Sequence, residues 1–155
     1  MKIKWKKLLL CLAIPLAVGG LATLLSGGMS SFQDVAKPPL SPPGWLFPVV
    51  WTILYLLMGY AAYRVSESRA ESEEIEKAFV LYGVQLFLNF LWPIFFFRFR
   101  WYLGAFIVLL LLLGAIALTA RSFSRIDEKA GDLLIPYILW VAFAGYLNLG
   151  VFLLN

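Results

Sequence analysis

The sequence predicts an all-α integral membrane fold, a bundle of five transmembrane helices making one domain over residues 1–155. Three observations carry that expectation. The composition is 62% hydrophobic and only 14% charged, where soluble domains run to about 45–50% and about 25%. The charges are confined, leaving five uncharged blocks at 8–33, 38–63, 78–97, 101–120 and 133–155, of 26, 26, 20, 20 and 23 residues. Each is long enough for the roughly 20 residues that cross a bilayer core. The blocks are also too long, and too uniformly apolar, for the alternating strands of a membrane barrel. This pattern excludes a soluble enzyme, a nucleic-acid-binding module and a disordered tail. The absence of His removes His-built zinc sites, Ser-His-Asp triads and His-ligated haem. The single Cys, Cys11, can form no intrachain disulfide and reads as a small packing residue.

The first span is placed at about 8–25. The opening MKIKWKK and the apolar run after it resemble a signal peptide, with Ala17-Val18-Gly19 as a passable cleavage site. Leu10 before Cys11 departs from a lipoprotein pattern. The apolar run continues through Leu21, Leu24 and Leu25, longer than a typical signal core, so the segment reads as a retained helix. The loop 27–42 is the longest segment on its side and is stiffened by its prolines. The second span, about 43–63, opens on Pro42-Pro43, residues suited to a first helical turn. The loop 64–77 carries eight charged residues and reads as a wet extension of the helices on either side. The third span, about 77–97, should kink at Pro93. The fourth and fifth spans are placed at about 101–120 and 133–154. No internal repeat or inverted pair of halves is visible, which argues against a coupled transporter.

Ten basic residues fall on one side: Lys2, Lys4, Lys6, Lys7, Arg64, Arg69, Lys77, Arg121, Arg125 and Lys129. Three fall on the other: Lys37, Arg98 and Arg100. The bias places the N-terminus in the cytoplasm and the C-terminus outside.

Polar groups are costly in hydrocarbon unless they face protein or a cavity. Gln85, Asn89 and Trp92 share one face of the third span at i, i+4 and i+7. Tyr137, Trp140, Ala144 and Asn148 repeat the pattern on the fifth, and Trp51, Tyr55 and Met58 or Gly59 on the second. Two readings are open from spacing alone. The stripes are helix-packing seams bridged by Asn and Gln, or they wall a pocket for a large, flat, apolar ligand. Trp5, Trp45 and Trp101 fit the membrane interface; Trp51, Trp92 and Trp140 are less easily placed there.

Three blocks of sequence resemble the translocator protein family, also called tryptophan-rich sensory proteins. The first is Lys37-Pro38, Pro42-Pro43, Trp45 and Trp51, Leu54-Tyr55 and Met58-Gly59. The second is Gln85-x3-Asn89-x2-Trp92-Pro93-x-Phe95-Phe96, and the third runs from Pro136-Tyr137 through Trp140 and Phe143-Ala144 to Leu147-Asn148. The resemblance implies a five-helix bundle whose pocket is capped by the first loop and takes porphyrins and other bulky apolar ligands, including benzodiazepine-type drugs. It implies a homodimer in the cytoplasmic membrane of a bacterium, with the lipid bilayer as surroundings and no nucleic acid as partner. Carried over by position, the pocket uses Trp51, Asn89, Trp92, Trp140, Ala144 and Leu147, with Asn148 close by. Tyr55 and Gln85 join from the stripes, and Phe32 stands where the family often has Tyr in a Trp-Tyr pair, keeping a ring but losing a hydroxyl. Leu40 stands where an aromatic residue is common, which implies a looser cap. Leu149 and Leu153 stand where animal members carry the Tyr and Arg linked to cholesterol, so sterol binding there is not expected.

Some members are reported to degrade protoporphyrin in light, which would make Trp51 and Trp140 the catalytic indoles. No cofactor or metal is required by this reading; porphyrin is ligand or substrate, and with no His a metal-free porphyrin suits the site better than haem. The alternatives are facilitated transport of tetrapyrroles and a structural membrane scaffold.

Overall fold

The computed structural model describes residues 2–27 and 35–155. Helix α1 spans Trp5–Ser26, α2 Leu46–Ser66 and α3 Ser72–Pro93, which runs on into a π-helical turn over Ile94–Arg98. Helix α4 spans Tyr102–Ile126, a short α5 Glu128–Asp132, and α6 Ile135–Leu154. Five segments are long and apolar enough to cross a membrane: Trp5–Ser26, Leu46–Ser66, Ser72–Arg98, Tyr102–Ile126 and Glu128–Leu154. Among the described residues there is no strand.

The helices outrun the apolar blocks at their charged ends. Helix α2 continues to Ser66, α3 starts at Ser72 and α4 runs to Ile126, beyond the expected limits at 63, 77 and 120. Uncharged length measures the hydrocarbon thickness, whereas Glu, Lys and Arg are good helix formers that carry the helix into the polar layer. The loop expected over 64–77 accordingly shrinks to 67–71. The start of α2 moves the other way. Pro43 lies outside the helix, and its carbonyl accepts from the Leu46 N–H at 3.0 Å in the turn before it. The start expected at 133 for the last span is a break: Leu133 and Leu134 join α5 to α6. Asp127 caps α5, accepting from the Lys129 N–H at 3.0 Å.

At Pro93 the regular α-helical hydrogen bonding ends. Pro93 has no N–H for the Asn89 carbonyl, and the chain then widens into the π turn, where the Phe99 N–H reaches Ile94 O at 3.1 Å. Pro15 likewise leaves the Cys11 carbonyl without a helical donor. That carbonyl lies against Gly59 of α2, where a Cβ would collide with the α1 backbone. The two helices therefore touch backbone to backbone, as small residues permit.

The core is packed by Met58, Ala61, Val65, Ala78, Leu112, Ile116 and Phe123, all with no exposure. Leu9, Leu10, Leu21 and Leu24 of α1, and Ile107, Leu110, Leu111 and Leu118 of α4, face outward, the arrangement of a protein whose solvent is lipid. One end of the bundle gathers the charges. Glu67 pairs with Lys7 at 2.7 Å and Lys4 at 3.3 Å, and Arg64 pairs with Asp127 at 2.9 Å. The Lys7 ammonium, with Lys4 beside it, holds the Glu67 carboxyl below the ordinary glutamate range. At the opposite end Arg98 donates to the Leu25 carbonyl at 3.4 Å.

Candidate ligand cavity

A cavity of about 370 Å³ opens between α1, α2 and α3, within the range of small-molecule sites. Its aromatic walls are Phe47 and Trp51 of α2 and Trp92 of α3, closed below by Pro93 and Phe97. Its smooth wall is α1, where Gly19, Ala22, Thr23 and Ser26 fall at i, i+3, i+4 and i+7. Gly19 makes room there for Tyr55: a Cβ would enter its ring and force it to shift. Trp51 stacks on Tyr55 with centroids 5.7 Å apart, and meets Tyr137 edge-on at 6.2 Å.

One corner is polar, and its groups form a chain. Tyr55 Oη donates to Asn89 Oδ1 at 3.0 Å, and Asn89 Nδ2 donates to Tyr137 Oη at 2.6 Å. Tyr137 Oη donates to Gln85 Oε1 at 2.7 Å, and Gln85 Nε2 reaches Met58 Sδ at 3.8 Å. A second pair holds Trp92, whose Nε1 donates to Asn148 Oδ1 at 2.9 Å while Asn148 Nδ2 donates to the Tyr102 carbonyl at 2.9 Å. Buried amides thus bridge four helices, which satisfies groups that hydrocarbon would leave unpaired.

The residues expected from sequence divide. Trp51, Tyr55, Asn89 and Trp92 line the main cavity. Ala144, Leu147 and Asn148 line a separate void of about 20 Å³ beside it, shared with Phe47, Trp92 and Phe97. Gln85 lines neither; it is 1% exposed and sits behind the polar corner. Trp140 lines neither. Phe47, which lines the main cavity, stands edge-on to it at 5.8 Å. The Trp140 Nε1 is buried with no hydrogen-bond partner among the described residues. Phe32 lies outside the described residues. The described part of the first loop is strapped to α6. Asn155 and Ala36 exchange hydrogen bonds of 2.9 and 3.2 Å, Tyr146 Oη donates to the Pro39 carbonyl at 2.6 Å, and Pro38 seats on Gly150. None of residues 35–42 lines the cavity.

Sequence reasoning missed the α1 wall, Phe47 and the role of Tyr137. The small-residue face of α1 was available at helical spacing but read only as part of an apolar span. Tyr137 stood in a stripe without a partner to show its purpose.

The sequence profile of the TspO/MBR family matches residues 8–154. The chain belongs to the TspO/MBR family. It is 38% identical over 150 residues to the tryptophan-rich protein TspO of Chlorobaculum tepidum, covering 96% of this chain and 95% of that one. It is 38% identical over 124 residues to protein CrtK of Rhodobacter capsulatus, covering 80% and 78%. It is 39% identical over 122 residues to the translocator protein of Bos taurus, covering 78% and 72%. Membership and the five spanning helices make this TspO/MBR chain an integral membrane protein.

Proposed function

We propose that this TspO/MBR protein is a receptor-like binder of porphyrins and similar bulky apolar ligands, held in the α1–α2–α3 cavity. The observation that carries the reading is that cavity itself: three aromatic walls, one smooth wall and one hydrogen-bonding corner within the membrane-spanning region. Flat aromatic ligands gain there from ring contacts worth about 0.5–1.5 kcal/mol each beyond area burial. Trp51 meets the ligand directly, whereas Trp140 lies off the cavity lining in contact with Phe47. The protein works as a homodimer in a bacterial cytoplasmic membrane. The charged end that joins Lys4, Lys7, Arg64 and Asp127 faces the cytoplasm, as the basic-residue bias requires.

A second reading is favoured by Trp51. An oxidisable indole in the cavity wall suits light-dependent oxidation of bound porphyrin by dioxygen, with the macrocycle oxidised and dioxygen reduced. The test is a protoporphyrin titration of the purified protein in detergent, followed by tryptophan fluorescence and absorbance, dark and then illuminated. Saturable quenching in the dark is expected, and its absence removes the binding reading. A protein-dependent product spectrum that Trp51→Phe loses while still binding supports the oxidative reading. Equal photobleaching with and without protein sinks that reading and leaves binding. Saturable porphyrin uptake by proteoliposomes would instead favour facilitated transport.

A further inference from the structure

Among the described residues, every hydroxyl in the cavity wall spends its proton on the protein. Thr23 donates to the Gly19 carbonyl at 2.9 Å, Ser26 to the Thr23 carbonyl at 3.0 Å, and Thr52 to the Pro48 carbonyl at 2.7 Å. Tyr55 donates to Asn89 Oδ1 at 3.0 Å. The first three follow from helix geometry, where a Ser or Thr hydroxyl reaches back a turn. The fourth depends on which way the Asn89 amide faces, and that is set from behind.

A thioether sulfur accepts hydrogen bonds and cannot donate. Met58 Sδ therefore turns the Gln85 amino group toward itself, and the Gln85 carbonyl is left for the Tyr137 proton. The Tyr137 oxygen, its proton spent, accepts from Asn89 Nδ2, which leaves Asn89 Oδ1 facing Tyr55. Met58, Gln85, Tyr137 and Asn89 are each 3% exposed or less, so water does not scramble the direction. Reversing any one amide would place two donors or two acceptors together inside the bundle, at a cost of about 1–3 kcal/mol.

We propose that Tyr137, directed by Gln85 and Met58, is a specificity-determining positioning residue that makes the Tyr55–Asn89 corner an acceptor of hydrogen bonds. The corner selects flat aromatic ligands that carry an N–H donor over isosteres that lack one. Flat aromatics with an N–H on their edge belong to the selected class; the inner N–H groups of a metal-free tetrapyrrole point into its own ring and do not place it there. The inference rests on the cavity being the ligand site, but its test does not require porphyrin to be the ligand.

The probes are carbazole and fluorene, equal in shape, with N–H in one and CH₂ in the other. Binding of each to the full-length protein in detergent is measured by competition and corrected for partition into protein-free micelles. The wild type should prefer carbazole by roughly five- to tenfold, the size of one net hydrogen bond. In Tyr137→Phe the Asn89 amide is free to turn, and the preference should fall to within about twofold while fluorene affinity is kept. Met58→Leu, which leaves every hydroxyl in place, should lower the preference in the same direction and serves where Tyr137→Phe does not fold. A purely structural role for Tyr137 would weaken both probes equally. Equal wild-type affinities, a preference for fluorene, or no binding of either probe overturns the inference. A parallel protoporphyrin titration separates the two readings. Saturable porphyrin binding without a carbazole preference sinks the inference alone, and a carbazole preference without porphyrin binding sinks the proposed ligand alone.

Discussion

Trp51 and Trp140 occupy equivalent places in the sequence pattern, each on a stripe of aromatic and hydrogen-bonding residues, and opposite places in the molecule. Trp51 stacks on Tyr55 and faces a cavity of about 370 Å³. Trp140 stands edge-on to Phe47, off the lining of that cavity, and the void lined by Ala144, Leu147 and Asn148 of its helix is about 20 Å³. The difference comes from the opposing surface. Across from Trp51 lies α1, which presents Gly19, Ala22 and Thr23. Across from Trp140 stands a full phenyl ring. Side-chain size on the facing element, more than the character of the stripe, decides whether a seam between helices is filled or hollow.

The change with the largest expected effect makes the hollow side resemble the filled one. Gly19→Val places side-chain atoms in the Tyr55 ring, closing the cavity and displacing Tyr55 from Asn89. Porphyrin affinity should fall at least thirtyfold, about 2 kcal/mol, as read by fluorescence titration. Undiminished binding would show that the ligand sits elsewhere. Phe47→Ala acts in reverse by joining the two spaces. Full burial of Phe makes such a truncation cost about 3–5 kcal/mol. Phe47 is half-buried, so a loss of about 2 kcal/mol in thermal unfolding is expected. In a Trp51→Phe background the same change should let bound ligand quench Trp140 strongly. Trp92→Phe touches the wall that both spaces share. It leaves Asn148 Oδ1 without its 2.9 Å donor and should lower stability by about 1–2 kcal/mol, with a smaller loss of affinity. The smallest effect belongs to the far end and serves as a control on both sides. The Glu67 carboxyl is held low by Lys7 and Lys4, so its contribution is complete above the ordinary glutamate range. That contribution is lost as pH falls through the depressed folded-state value. Glu67→Gln should flatten that acid limb in a thermal-unfolding series against pH, while ligand affinity at neutral pH stays unchanged.

The five spans were legible because hydrocarbon imposes a length and excludes charge, and both leave marks on single residues. Their ends were less legible, since a helix does not stop where the bilayer does; Arg64, Glu73 and Arg125 are helical and charged. At the site, Asn89 and Trp92 could be found because a polar group inside a span demands a reason. Gln85 met the same criterion and proved to stand one layer back, joined to the cavity through Tyr137 and Asn89. Periodicity reports which face of a helix a residue takes and not how deep along that face the neighbouring helix comes. The α1 wall left the weakest mark, because Gly19 and Ala22 contribute by what they lack.

The contact of Gly59 with the Cys11 carbonyl has the geometry of a fulcrum. Helix α1 is pinned to α2 there with no side chain between them, while its far half borders the hollow. At about 1.5 Å per residue, roughly 21 Å of α1 separates Leu12 from Ser26, so a tilt of about 10° swings that end by about 4 Å. The short arm, from Leu12 back to Lys7, is about 7.5 Å long and ends in the ionic clamp on Glu67. A rigid pivot of α1 at that point would carry a displacement at the charged end to the cavity mouth nearly threefold larger and opposite in sense, against the Arg98–Leu25 hydrogen bond and the Gly19–Tyr55 contact that hold the far half.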